Sequence, residues 1–227
     1  DDGVLAVPDG PTAVALGIQV NNNGYKPTFR IGAAEFPAAA ARNELFLAKI
    51  NPEGALLSAP VKLFSGFAPG GIIPRASLSR FKRDGDGNFY ICGVVASYSG
   101  PTQFGADNDP NKTILQSAYY FGSAYVSSYG PTGSLRWVKM LNRGDNPALK
   151  EVDSSANSLA VDSDGNIYVG GQFYGVQNFT NATSPNIVMS GPAGGNRPWV
   201  AKLNGTTGEW LWVQADYADG NHGYTFA

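Results

Sequence analysis

Short apolar runs, each broken after a few residues by glycine, asparagine or aspartate, dominate the chain. LAVD at 159–162, NIYVGG at 166–171, WVAKL at 199–203 and EWLWVQA at 209–215 are β-branched or aromatic segments of strand length. Ser163, Asp164 and Gly165 connect the first pair and 204–208 the second, residues that tolerate the left-handed backbone of a tight reversal. The connection between the second and third runs, 172–198, is longer than an ordinary loop.

The pattern returns. DGDGNFYICG at 84–93 reappears as DSDGNIYVGG at 162–171, an offset of 78, and VPDGPTAVALG reads as a weaker first copy with Asp9 set against Asp86. Gly54, Gly133 and Gly208 coincide in LFLAKINPEGALL, AYVSSYGPTGSLRWV and PWVAKLNGTTGEWLWV. A fainter third anchor places SGPTQFG and YGVQNFT ahead of ILQS and IVMS. Three copies of a 75 to 79 residue unit fill the chain, each predicting four antiparallel strands that cannot bury both faces alone. The predicted strands are 4–7, 12–18, 45–50 and 55–64 in the first copy, and 78–83, 88–94, 123–129 and 134–141 in the second.

The expected fold is therefore all-β, a β-propeller segment spanning 1–227, with blades at about 4–77, 78–155 and 156–222. Residues 223–227 match the first strand of a fourth blade. A closed ring normally takes four to eight blades, so further blades of the same polypeptide, or other protein chains, are expected to complete it.

Composition narrows the function. Charged residues are 15% of the chain, against roughly 25% in ordinary soluble domains, and 29 glycines suit a turn-rich β fold. Sixteen basic and 18 acidic residues create no field that would attract nucleic acid. No apolar run reaches the ~18 residues of a membrane span, and DDGVLAVPDG lacks the regions of a signal peptide, so any targeting segment is expected to have been removed. A single cysteine, Cys92, and a single histidine, His222, exclude an intrachain disulfide, a Cys/His zinc cluster and any histidine triad without His222. His222 lies in the glycine-rich DGNHGYTF and reads as an exposed loop residue.

DGNIYVGGQF, then Phe179, then PWVAKLNGTTGEWLWV together resemble the bacterial-type β-propeller repeats of secreted and cell-surface proteins. The second copy departs where SSY replaces AKL, and the first where PTA stands for GNIY. The resemblance implies a non-catalytic extracellular propeller, often one module of a large surface protein or adhesin, with no shared active site.

Several residue sets carry chemistry worth locating. Asp84, Asp86 and Asn88, and their counterparts Asp162, Asp164 and Asn166, offer alternating oxygen ligands as calcium loops do. The carboxylate expected eight residues after the first ligand is replaced by Cys92 and Gly170, and the same residues suit a plain hairpin turn. Asn111, Asn178, Asn181 and Asn204 head glycosylation sequons, three in long loops and one in a hairpin turn, all expected to be exposed. Trp137 and Trp212 share a repeat position, with Trp199 and Trp210 near, as a sugar-stacking platform or, more simply, as core between blades. Lys49 and Lys202 match across repeats with Ser128 between them, the pattern of a structural ion pair. Arg143-Gly144-Asp145 is a tripeptide with adhesive associations. The long loops share one face and carry Tyr25, Phe29, Tyr98, Tyr119, Tyr120, Phe121 and Tyr174, making it the expected contact surface for proteins or glycans. A structural or adhesive module, secreted or on a cell surface, is the leading expectation. The alternatives are a propeller enzyme acting on polysaccharides, a lyase or hydrolase, against which no carboxylate pair of this chain stands at equivalent inward positions, and a sugar-binding lectin, which would need exposed tryptophans.

Overall fold

A computed structural model describes residues 3–22, 28–38, 42–67, 75–96, 100–115, 122–143, 153–190 and 196–215. Unit one holds β1 (Gly3–Pro8), β2 (Val14–Asn22), β3 (Thr28–Ile31), β4 (Ala34–Pro37), β5 (Arg42–Ile50) and β6 (Val61–Phe67). Unit two holds β7 (Arg75–Arg83), β8 (Phe89–Ala96), β9 (Thr102–Phe104), β10 (Thr113–Leu115), β11 (Ser123–Tyr129), β12 (Leu135–Met140) and β13 (Asn142–Arg143). Unit three holds β14 (Asp153–Val161), β15 (Ile167–Tyr174), β16 (Val176–Phe179), β17 (Ile187–Ser190), β18 (Arg197–Leu203) and β19 (Trp210–Ala215).

Each unit builds one antiparallel meander: β1-β2-β5-β6, then β7-β8-β11-β12, then β14-β15-β18-β19. The fold is all-β, and the four-stranded sheets pack face against face. Phe64, Phe81, Phe89, Tyr125 and Tyr129 form one buried cluster between units one and two. Tyr90, Val126, Trp137, Leu159, Val169 and Trp199 form a second between units two and three. Burying an aliphatic or phenyl side chain of this size stabilises by about 1.5–3 kcal/mol, so the sheet-to-sheet layers hold most of the apolar driving force.

The first strand of each later unit lies on the second strand of the unit before it. A Cβ on Gly17 of β2 would sit 3.3 Å from Leu78 Cδ2, and the Cys92 thiol of β8 lies 3.6 Å from the Ala156 carbonyl of β14. Register explains a pair of glycines here. β7 bulges between Leu78 and Arg80, and β14 between Ala156 and Ser158, thrusting a carbonyl toward the neighbouring strand. A Cβ on Gly93 would lie 1.7 Å from Ser77 O, and one on Gly171 would lie 1.8 Å from Ser155 O. β1 pairs with β2 without a bulge, and Ile18 occupies the equivalent place.

The structure corrects several sequence expectations. Strand two of unit one starts at Val14 rather than 12, and its fourth strand at Val61 rather than 55. Asp9 N donates to Ala13 O as Asp84 N donates to Asn88 O and Asp162 N to Asn166 O, so Asp9 corresponds to Asp84, not to Asp86. Among the described residues, each long loop contains a hairpin, β3-β4, β9-β10 or β16-β17. Two of these reach back to the preceding unit. β9 pairs with β6 through Ser65↔Gln103 and Gly66↔Thr102. β16 pairs with β13 through Asn142↔Asn178 and Arg143↔Gln177, at the corresponding register. The match of Phe226 and Ala227 to a further first strand lies outside the described residues.

Candidate functional site

The Asp-Gly turns between first and second strands are the most chemically dense element that recurs. In unit two, Asp84 Oδ1 accepts from Asn88 N at 2.8 Å, and Oδ2 accepts from Asn88 Nδ2 at 2.9 Å and Tyr90 OH at 2.8 Å. In unit three, Asp162 Oδ1 accepts from Asp164 N at 3.0 Å and Asn166 N at 2.7 Å, and Oδ2 accepts from Asn166 Nδ2 at 3.0 Å. Aspartate closes an Asx turn in this way, and Gly87 and Gly165, at φ of 87° and 76°, supply the left-handed step. Burial pushes the Asp84 carboxyl up, but the bonds from Asn88 and Tyr90 outweigh it and hold the carboxyl below its ordinary range. Asp162 is lowered chiefly by the Asn166 side chain. Asp86 and Asp164 join these turns through their backbone N–H groups, and among the described residues no group of three His, Cys, Asp or Glu side chains could hold a metal.

Each turn aspartate also meets a cation or a relay. Lys49 lies 2.6 Å from Asp9, and Lys202 lies 3.6 Å from Asp162. Both lysines thus form the structural ion pair expected of them. Unit two, with Ser128 at that position, substitutes another arrangement: Arg136 Nη1 donates to Ser128 Oγ and Tyr90 OH, and Tyr90 donates to Asp84. Asp9 additionally pairs with Arg83 of unit two at 2.8 Å, tying two sheets together. The polar chemistry of these positions is spent on holding turns and neighbours.

The sequon asparagines divide. Asn181 Nδ2 donates to Pro185 O at 3.1 Å and Trp210 O at 3.2 Å, while its Oδ1 accepts from Trp210 N at 2.7 Å. It clasps the first residue of β19. Unit two makes the same clasp with two side chains: Leu135 N donates to Asp109 Oδ2, and Asn111 Nδ2 donates to Leu135 O, at the first residue of β12. No spacing rule singles out this clasp, and the sequence pattern does not reveal it. Asn204 Oδ1 accepts from Thr206 N and Thr207 N within its hairpin turn. Asn178 lies inside β16 rather than in an open loop, and it is half-buried with Oδ1 shielded from solvent.

Trp137, Trp199 and Trp210 are core, as the simpler reading of their spacing expects. Trp137 Nε1 donates to Gly205 O at 3.0 Å across the unit boundary. Trp212 differs: 36% of its surface is exposed, with Tyr168 edge-on at 6.1 Å. Cys92 is buried, and burial pushes its thiol up to about 12, which removes it as a nucleophile. Arg143 stands in β13, with the remainder of its tripeptide outside the described residues, as are His222, Tyr25, Tyr98, Tyr119, Tyr120 and Phe121. Phe29 packs on Phe46 at 4.6 Å between ring centroids, so it is a hairpin anchor. No helix among the described residues is long and apolar enough to cross a membrane.

Residues 151–172, which include β14, its Asp-Gly turn and most of β15, match a family model described as Beta-propeller repeat. No curated protein matches the chain.

Proposed function

We propose that the chain is a non-catalytic structural or adhesive β-propeller module, extracellular or on a cell surface, that works through protein or glycan contacts in a larger assembly. The blades are 4–77, 78–155 and 156–222. One observation carries this reading: the turn aspartates and clasp amides that recur between units are engaged with backbone, with a lysine of the same unit or with a neighbouring unit. Asp9, Asp84, Asp162, Asn111 and Asn181 are held in this way. A catalytic centre would instead leave such groups aimed into a cleft.

We read the other candidates in the same way. Asp84, Asp86 and Asn88, like Asp162, Asp164 and Asn166, serve as strand-connecting turns rather than calcium ligands. Glycans fit Asn111 and Asn204, since Asn111 is exposed and donates one amide hydrogen, whereas Asn181 uses its amide for two acceptors.

The test sets immobilised glycans and surface proteins beside a panel of uronic-acid-containing and neutral polysaccharides. The expected result is saturable binding to a surface component with no release of reducing ends or unsaturated uronates. Turnover of any polysaccharide at a rate proportional to protein concentration would refute the assignment in favour of an enzyme.

A further inference from the structure

What all three units share holds the fold, and what one unit alone carries is free for another task. β1, β7 and β14 are the first strands of their units, and β7 lies between the other two. With the sequence RASLSRFKR, β7 holds four of the chain's 16 basic residues and no acidic one, whereas β1 and β14 hold no basic residue. In a chain of net charge −2 this is a local positive strip that the repeat does not require.

Register places the charges. Arg80 pairs with Cys92 and Lys82 with Tyr90, so both share the face of unit two that packs against unit three. The same positions hold Ser158 and Ala160 in unit three, and Leu5 and Val7 in unit one. Unit two has both neighbours in place, with β14 lying over Cys92, yet Arg80 and Lys82 remain exposed on the strand beside it. Arg80 Nη1 donates to the adjacent Ser79 O at 2.8 Å, and among the described residues neither Arg80 nor Lys82 forms an ion pair. Arg83, by contrast, is taken by Asp9. β7 also ends its sheet, which leaves one edge of its ladder unpaired among the described residues.

Resting on the contact reading above, we propose that β7 binds an acidic, extended segment of a partner protein, whose alternate carboxylates pair with Arg80 and Lys82 while its backbone pairs with the open ladder edge. Residues two apart on a strand share a face and stand about 6.5–7 Å apart. Acidic residues two apart in an extended peptide repeat at that same spacing, and the peptide backbone supplies the N–H and C=O groups that an open edge accepts. A uronate polymer offers the charge but lacks the amide ladder, so the peptide satisfies more of what β7 presents. Charge complementarity of this kind selects the partner and speeds its approach, and it weakens as salt screens the pairs.

The test is fluorescence anisotropy with a labelled peptide that alternates glutamate and threonine, beside its glutamine counterpart and labelled polyglucuronate. The glutamate peptide should bind saturably and the glutamine peptide should not. Arg80→Gln combined with Lys82→Gln should raise the dissociation constant about ten-fold or more, as should a rise in salt that screens the pairs. Both side chains are exposed, so circular dichroism and Tm should stay unchanged, and Arg30→Gln, an exposed arginine on the β3-β4 hairpin, should leave binding as it was. Arg80→Glu combined with Lys82→Glu should transfer binding to a peptide that alternates lysine and threonine, which a merely structural role for the strand would not produce. No binding of the glutamate peptide at about 1 mM would overturn the proposal, as would binding that ignores both double variants. Polyglucuronate that binds through Arg80 and Lys82 where the peptide does not would overturn it in favour of an acidic glycan. Polysaccharide turnover would remove the function proposed above and leave this site standing, so the two fail separately.

Discussion

Gly93→Ala should be among the most damaging single-methyl changes in the protein. A Cβ there would lie 1.7 Å from Ser77 O and 2.9 Å from Ser77 C, both backbone atoms of a strand paired to β8. A flexible side chain could swing aside, but Ser77 cannot move without breaking the bulge that sets the register of β7. Overpacking typically costs 1–3 kcal/mol. With paired backbone as the obstacle, about 3 kcal/mol is expected, which for a chain of this length is a fall in Tm of roughly 6–12 °C. Gly85→Ala is the control, because a Cβ there meets nothing within 4 Å and Gly85 is not among the positive-φ glycines, so its cost should stay within about 0.5 kcal/mol. Urea unfolding followed by tryptophan fluorescence, with thermal melts by circular dichroism, reads both. Should Gly93→Ala fall within about 1 kcal/mol of Gly85→Ala, the bulge argument is wrong and β7 can shift freely.

Trp137→Ala removes a ring that packs on Gly208 and a hydrogen bond to Gly205 O, so urea unfolding should show a loss of about 3–5 kcal/mol. Asp84→Asn forfeits the acceptor for Tyr90 and should cost about 1.5 kcal/mol at pH 7. Because the folded Asp84 pKa is depressed, its contribution is present above the unfolded value near 4 and is lost as pH falls through the folded one. The variant's stability should therefore vary less with pH below about 4, as acid titration of Tm would show. Calcium at 10 mM should leave Tm unmoved. A site with a dissociation constant of about 10⁻⁴–10⁻³ M, as in extracellular modules, would instead add roughly 1.4–2.7 kcal/mol and several degrees.

What could be read from the sequence was what recurs locally. The Asp-Gly turns, the three turn glycines and the Lys49 and Lys202 pairings announce themselves because their partners lie within one unit or at a fixed offset. The first copy slid by two residues because Asp9-Gly10 reads like Asp86-Gly87, yet the two dipeptides occupy different places in their turns; only the bond from Asp9 to Ala13 reveals the register. Bulges leave no such mark, since an extra residue in β7 or β14 shows only as a glycine across the sheet, at Gly93 or Gly171. Nor could the pattern foresee hairpins in the long loops. β9 and β16 are short and polar, and they become strands because the edge of the preceding sheet offers them partners.

Those hairpins explain how thin sheets hold together without disulfides. β9 adds to the outer edge of unit one while Asp109 and Asn111, just beyond it, grip the start of β12 in unit two. β16 adds to the outer edge of unit two while Asn181 grips the start of β19 in unit three. Each of these two loops is therefore a strap, bonded at one end to the sheet before it and at the other to its own. Lys62 on β6 adds an ion pair to Asp107 at 2.9 Å across the first strap. Every unit leans on its neighbour through a face, a turn and a strap, so stability should be close to a sum of unit and boundary contributions, as in other repeat proteins. The β3-β4 hairpin has the form of a strap, and among the described residues it pairs with no preceding sheet.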